Sequence, residues 1–224
     1  FPLIPHLKPK LFVFFVGIND ADFDRGRPSE FDTSEGDGLR ESIKRLRVVQ
    51  RALWAADTLG NVMQRDPAYA GHIRTSKAPA EYTETRLADD TAQRAARNAE
   101  AFRLRLRRLL ADAHAYGADV LCVTQPHRSV RTTQGAQRGL SESFGWNGKS
   151  YKYGGLDYDY SLRQLNKVML EECGANRLVD LYGAPFDDDQ FYDYVHATPR
   201  GTREEGQRIA QFIATSDLMA RLGK

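Results

Sequence analysis

Lys10-Leu11-Phe12-Val13-Phe14-Phe15-Val16 is a nearly unbroken apolar run that stops at Gly17. A run this short and this apolar suits a strand buried on both faces, as in parallel sheets covered by helices. Pro9, directly before it, limits a helical alternative. A second run of the same kind, Asp119-Val120-Leu121-Cys122-Val123-Thr124-Gln125, is stopped by Pro126. A third and shorter one, Asn176-Arg177-Leu178-Val179-Asp180-Leu181, follows Gly174.

Between these runs the apolar spacing changes to that of helices. Residues 38–60 place Leu39, Ile43, Leu46 and Leu53 on one side, with Glu41 beside Lys44 or Arg45 on the other. Asp89 to Tyr116 carries the strongest helical pattern. There Ala95, Ala99, Phe102, Leu106, Leu109 and Ala113 step by fours and threes, and Gly117 supplies a C-terminal cap. Tyr160 to Cys173 turns Leu162, Leu165, Val168 and Met169 inward. Thr202 to Leu222 does the same with Ile209, Phe212 and Ile213. The stretch holding Pro67, Gly71 and Pro79 reads as loop, as does the Gly- and Ser-rich one from Pro126 through Trp146 and Tyr151.

Strands alternating with helices argue for an α/β fold with a parallel sheet and helices on both faces, in three layers. One domain is expected over residues 1–224. The excursion from Asp20 to Asp119 exceeds one crossover, so residues 21–85 read as an insertion carrying a helical pair.

The 224 residues are 41% apolar and 28% charged with a net charge of +2, enough for one sizeable core. Near-balanced charge gives no reason to expect a nucleic-acid partner. Arg94, Arg97, Arg103, Arg105, Arg107 and Arg108 read as a solvated helix face, with an anionic lipid or polysaccharide contact as the alternative. No segment reaches the ~18 apolar residues of a membrane span. No signal peptide is visible, but the first residue is Phe, not Met, so an export signal could precede it; the compartment and the oligomeric state stay open. Cys122 reads as a small core residue and Cys173 as the end of a helical pattern. Neither a disulfide framework nor metal-ligand spacing is expected of the pair.

Chemistry concentrates in two short strings. Asp193-Tyr194-Val195-His196 sets a carboxylate three residues before an imidazole, close enough on a turn to fix its tautomer and stabilise its protonated form. Alone, the same spacing also describes a helix-capping Asp beside a surface His. Gly17-Ile18-Asn19-Asp20 lies just past the first strand, and the carboxyl ends of strands are where open α/β sheets bind ligands. The Asn19 amide could donate to developing negative charge there, although Gly, Asn and Asp are also ordinary turn formers. His127 and Arg128, beyond the second strand, are candidate substrate contacts or a solvated loop. The stretch Tyr151 to Tyr160 could stack on sugar rings or pack as loop. Asp187, Asp188 and Asp189 are adjacent, so their side chains diverge and no shared metal site is expected. No Gly-rich phosphate loop follows a strand.

The string Tyr194-Val-His-Ala-Thr-Pro-Arg-Gly201, with Asp193 before it, resembles the last sequence block of the SGNH (GDSL-type) esterases. Gly17-Ile18-Asn19-Asp20 resembles their third block. The resemblance runs from Lys10 to the C-terminus, residues 21–85 excepted. It implies an ester substrate, such as an acyl or acetyl ester of a carbohydrate or lipid, with no metal and no cofactor. It makes His196 the general base and then acid, Asp193 its orienter, and Asn19, beside Gly17, a donor to the oxyanion. His127 becomes a substrate-side contact. The departure is decisive: neither a Gly-Asp-Ser block nor a Gly-x-Ser-x-Gly elbow occurs. In the family the serine block precedes the asparagine block. The expectation is therefore that the serine and a second oxyanion donor lie upstream of Phe1. The chain alone then hydrolyses nothing, and its sheet is incomplete on the N-terminal side. Lys10–Val16 would form a bare edge, with Asp119–Gln125 in the middle and Arg177–Leu181 beyond. The alternative is a non-catalytic esterase-like module that binds glycan or a partner protein.

Overall fold

The computed structural model describes residues 9–17, 21, 81–141 and 154–222, all of which fall in one compact unit. The architecture is mixed α/β around a small parallel sheet. Strands β1 (Leu11–Phe15), β2 (Asp119–Val123) and β5 (Leu178–Val179) lie in the order β1-β2-β5. Leu11 stands opposite Asp119 and Phe15 opposite Val123, while β5 pairs with Cys122 and Val123. The expected order of the three strands therefore holds among the described residues, where β1 pairs with β2 alone. Val13 and Phe15 stay 44% and 38% exposed.

The third strand is shorter than its apolar pattern suggests. Gly174 turns the chain out of the preceding helix at φ +79°, and Ala175–Arg177 form a 3-10 turn. Arg177 then reaches Asp119 at 3.4 Å and Asp217 at 3.3 Å. Asp180 leaves the ladder to accept from the Thr124 hydroxyl at 2.8 Å.

Alternation along β2 divides the core. Val120 and Cys122 join Phe102, Leu106 and Ala113 of α1 (Thr91–Ala115) and Leu162, Leu165, Val168 and Met169 of α2 (Gly155–Cys173), with Phe12 and Phe14 packed beside them. Leu121 and Val123 join Val179, Leu181 and Leu218, against Ile209, Phe212 and Ile213. The last three belong to α3 (Pro199–Thr215), and Leu218 opens α4 (Leu218–Leu222). The inward residues expected of α2 and α3 are the ones found.

Several expectations need correction. The stretch after Pro126 is not all loop: β3 (Val130–Thr133) and β4 (Ala136–Gly139) pair as an antiparallel hairpin. Its turn is Gln134-Gly135 with φ of 52° and 78°, the left-handed pair that a tight hairpin requires. Helix α2 starts at Gly155 rather than Tyr160, because carboxylates satisfy its first amides. Gly154 N–H donates to Asp157 at 3.1 Å and Leu156 N–H to Glu84 at 2.8 Å. Helix α3 starts at Pro199 behind an N-capping Thr198, and Ser216 separates it from α4. The basic face of α1 is only partly solvated: Arg103 and Arg107 pair with Glu171 and Glu172 of α2, while Arg108 is 77% exposed.

The two cysteines are not independent. Cys122 and Cys173 form a disulfide that ties β2 to the last residue of α2 across 51 residues. Two cysteines among 224 residues gave no pattern to read; their meeting follows from helix α2 packing back along β2. The expected helix at 38–60 lies outside the described residues, as does most of the 21–85 insertion. The end of that insertion, at Glu84, exchanges backbone hydrogen bonds of 3.0 and 2.9 Å with Gly139 and so extends the hairpin. Among the described residues no helix is long and apolar enough to cross a membrane.

Candidate functional site

Past β5 the chain runs from Leu181 to α3 with little regular structure, so its shape depends on local hydrogen bonds. Asp187–Gln190 close a 3-10 turn, with Asp187 N–H donating to Gln190 Oε1 at 2.6 Å. Thr198 N–H donates to Gln190 O at 2.9 Å, and Tyr192 N–H to His196 O at 2.8 Å. Those bonds draw residues 192–196 into a loop.

Inside it Asp193 accepts from three donors. Oδ1 takes the N–H groups of Val195 and His196, each at 2.8 Å, and Oδ2 lies 2.6 Å from His196 Nδ1. A carboxylate only accepts, so in this contact Nδ1 is the donor. The imidazole is 60% exposed and the carboxylate 29%. A carboxylate and an imidazole are thus held together by local hydrogen bonds, the arrangement that a general base with an orienting carboxylate would need.

The acidic triplet supports this loop. Asp188 bonds Arg131 and lies 3.6 Å from Arg128, while Arg200 bonds Asp189 and meets Asp187 at 2.9 Å. The hydrogen bond from Arg131, with the charges of both arginines, outweighs partial burial and holds the Asp188 carboxyl below its ordinary range. The three side chains do not all diverge: Asp187 and Asp189 converge on the Arg200 guanidinium, and only Asp188 turns away, to Arg131. Among the described residues no group of His, Cys, Asp or Glu could hold a metal ion.

His127 sits neither in a solvated loop nor against an open surface. Its side chain is 4% exposed, with Nε2 3.2 Å from the fully buried Asp159. Its Nδ1 accepts from Ser129 N–H at 3.2 Å and lies 2.8 Å from Ser129 Oγ. The ring stacks on Tyr182, whose hydroxyl donates to Asp159 at 2.7 Å, and Arg163 closes the cluster at 2.8 Å. Burial alone would push the Asp159 carboxyl up. The bonds from His127 and Tyr182, with nearby positive charge, outweigh it and hold the group below its ordinary range. Burial and the bond to Asp159 push the Tyr182 phenol far up. Ser129, His127 and Asp159 match a catalytic triad by residue type. The hydroxyl, however, is fully buried and also lies 3.1 Å from Gly155 O, so the set braces the fold.

Gly17 closes β1 at φ +111°, where a side chain is disfavoured and a Cβ would meet Phe102 at 3.6 Å. Asn19 lies outside the described residues. The structure therefore brings Asp193 and His196 together, puts Gly17 at the carboxyl end of β1, and gives His127 an interior role past the same end of β2. Sequence reasoning missed Tyr158, whose ring meets Tyr194 edge-on at 5.4 Å. The tyrosine-rich stretch pointed to it, but from Gly155 onward that stretch is the start of α2 and not loop. No protein-family model, curated protein or solved structure matches this chain.

Proposed function

We propose that the chain carries the base-and-orienter half of an SGNH-type esterase, built on a three-layer α/β/α fold. The carrying observation is the Asp193–His196 contact of 2.6 Å, with Asp193 fixed by two backbone N–H groups. In this reading His196 Nε2 removes the proton of a serine hydroxyl as that oxygen attacks the ester carbonyl. Asp193 stabilises the imidazolium, which then protonates the leaving alcohol. Water, deprotonated by the same imidazole, releases the acid. Asn19 donates to the oxyanion. The substrate class is an acyl or acetyl ester of a carbohydrate or lipid.

The serine of this reading stands outside the described residues. Ser129 and Ser161 are fully buried, Ser216 caps α3, and Ser141 N–H donates to Glu81 O at 3.3 Å beside the hairpin. The test is hydrolysis of p-nitrophenyl acetate by the protein expressed from its natural start codon, with and without H196A. Losing the base should cut turnover by about a thousandfold or more. Turnover by residues 1–224 that survives H196A would place the chemistry elsewhere. No turnover from either form would favour the non-catalytic binding module.

A further inference from the structure

We infer that Arg128 is a positioning residue for His196, acting through both ends of the segment that carries it. The inference rests on the esterase reading only for calling His196 a base. A general base must keep its place to within roughly half an ångström, and rigid elements do this better than loops. Asp193 and His196 lie in an irregular stretch that is closed by its own hydrogen bonds, and contacts from outside it add to those.

Arg128 reaches it twice. Its N–H donates to Tyr194 O at 2.8 Å, inside the turn between Asp193 and His196. Its guanidinium donates from Nη1 to Asp188 O at 2.9 Å, while Nη2 lies 3.6 Å from the Asp188 carboxylate. One residue therefore joins the 3-10 turn before the Asp–His pair to the turn that contains it. The first bond is backbone and survives any substitution but proline; the side chain's own part is the Asp188 end, where a planar fork meets carbonyl and carboxylate together and a lysine would offer one point charge.

Arg128 is itself well anchored. Its carbonyl accepts from Tyr82 Oη at 2.8 Å. It stands between His127 and Ser129, both buried and bound to each other and to α2. Its side chain is 22% exposed, so substitution should leave the core intact. The buried Ser129–His127–Asp159 set thus becomes the footing from which Arg128 holds the loop.

The test reads the imidazole directly. Two-bond 1H–15N spectra of the 15N-labelled chain, with His196 assigned through H196Q, should show one Nδ1-protonated tautomer and a downfield Nδ1 proton. R128M should lose that proton signal and give averaged tautomer shifts while far-UV circular dichroism stays at wild type. R128K should restore the signal in part. His196 shifts that match wild type in both variants would overturn the inference, and R128K remains informative should R128M fold poorly. The readout does not depend on turnover. Ester hydrolysis could fail while these spectra come out as expected, which would sink the esterase reading alone. Unchanged spectra beside intact hydrolysis would sink the positioning role alone.

Discussion

Gly201→Ala tests the geometry of the Asp–His turn from the side of α3. Gly201 lies in the first helical turn, and its N–H donates to the Thr198 hydroxyl at 3.3 Å. A Cβ there would fall well inside contact distance of Gln190 O and 3.1 Å from Ala197 Cβ. Gln190 O is the acceptor that Thr198 N–H uses at 2.9 Å to close the loop around Asp193 and His196. Helix propensity favours the substitution by up to about 1 kcal/mol. Against it stand overpacking of roughly 1–3 kcal/mol and a weakened hydrogen bond of about 1 kcal/mol. The backbone oxygen cannot rotate away as a flexible side chain could, so the steric side wins, by an expected 1–3 kcal/mol or so. For a chain of this size that is a fall in Tm of about 2–12 °C. Thermal denaturation followed by circular dichroism measures it. The oxygen must retreat by on the order of 1 Å to a normal close approach, and a displacement of that size near a catalytic group can cost ~100-fold in rate. A G201A protein with wild-type Tm and wild-type His196 spectra would refute the reasoning.

Refolding under reductant, with both sulfurs kept, isolates the Cys122–Cys173 crosslink. A closed span of 51 residues predicts a loss of about 4 kcal/mol from loop entropy, read as a drop in urea midpoint, and equal midpoints for oxidised and reduced protein would contradict it. Because Asp159 and Asp188 are held below their unfolded value near 3.8, their stability is present above that pH and lost as pH falls through the lowered values. D159N should therefore flatten the acid side of the stability curve, and an unchanged acid slope would count against the His127–Asp159 account. Glu205 is 8% exposed on the inner face of α3, and burial raises its carboxyl above 4.5. Its stability is full below that value and declines as pH rises through the raised one, so E205Q should raise Tm at pH 7 but not at pH 4.

The apolar runs carried most of the fold. Leu11–Phe15 and Asp119–Val123 are strands as their apolar runs predict, but only the second is buried: Val13 and Phe15 leave the first partly open, while the stripe of Ala95, Phe102 and Leu106 faces the core. What the sequence concealed depends on residues far apart in the chain. The capping of α2 by Glu84 joins positions that share no local pattern. The hairpin at Val130–Gly139 was hidden because Arg131, Thr132, Thr133 and Gln137 are exposed, so neither strand shows apolar alternation. At the site, three-residue spacing made the Asp193–His196 contact readable. The role of His127 was not readable, since its partner Asp159 comes from the next helix and only the folded chain shows that pairing to be internal.

The sulfur bridge also changes what a cut in the backbone would mean. Everything between Cys122 and Cys173 is threaded through one covalent ring: the hairpin, the polar stretch at 142–153 and nearly all of α2. A protease that nicks this ring once leaves two chains still joined, one ending and one beginning at the cut. On a gel without reductant the nicked molecule would migrate close to the intact one; with reductant it would separate into two pieces whose sizes give the position of the break. A single cut inside the ring therefore leaves one covalently joined molecule, heavier by one water, that comes apart only on reduction. Damage anywhere outside it releases a fragment at once.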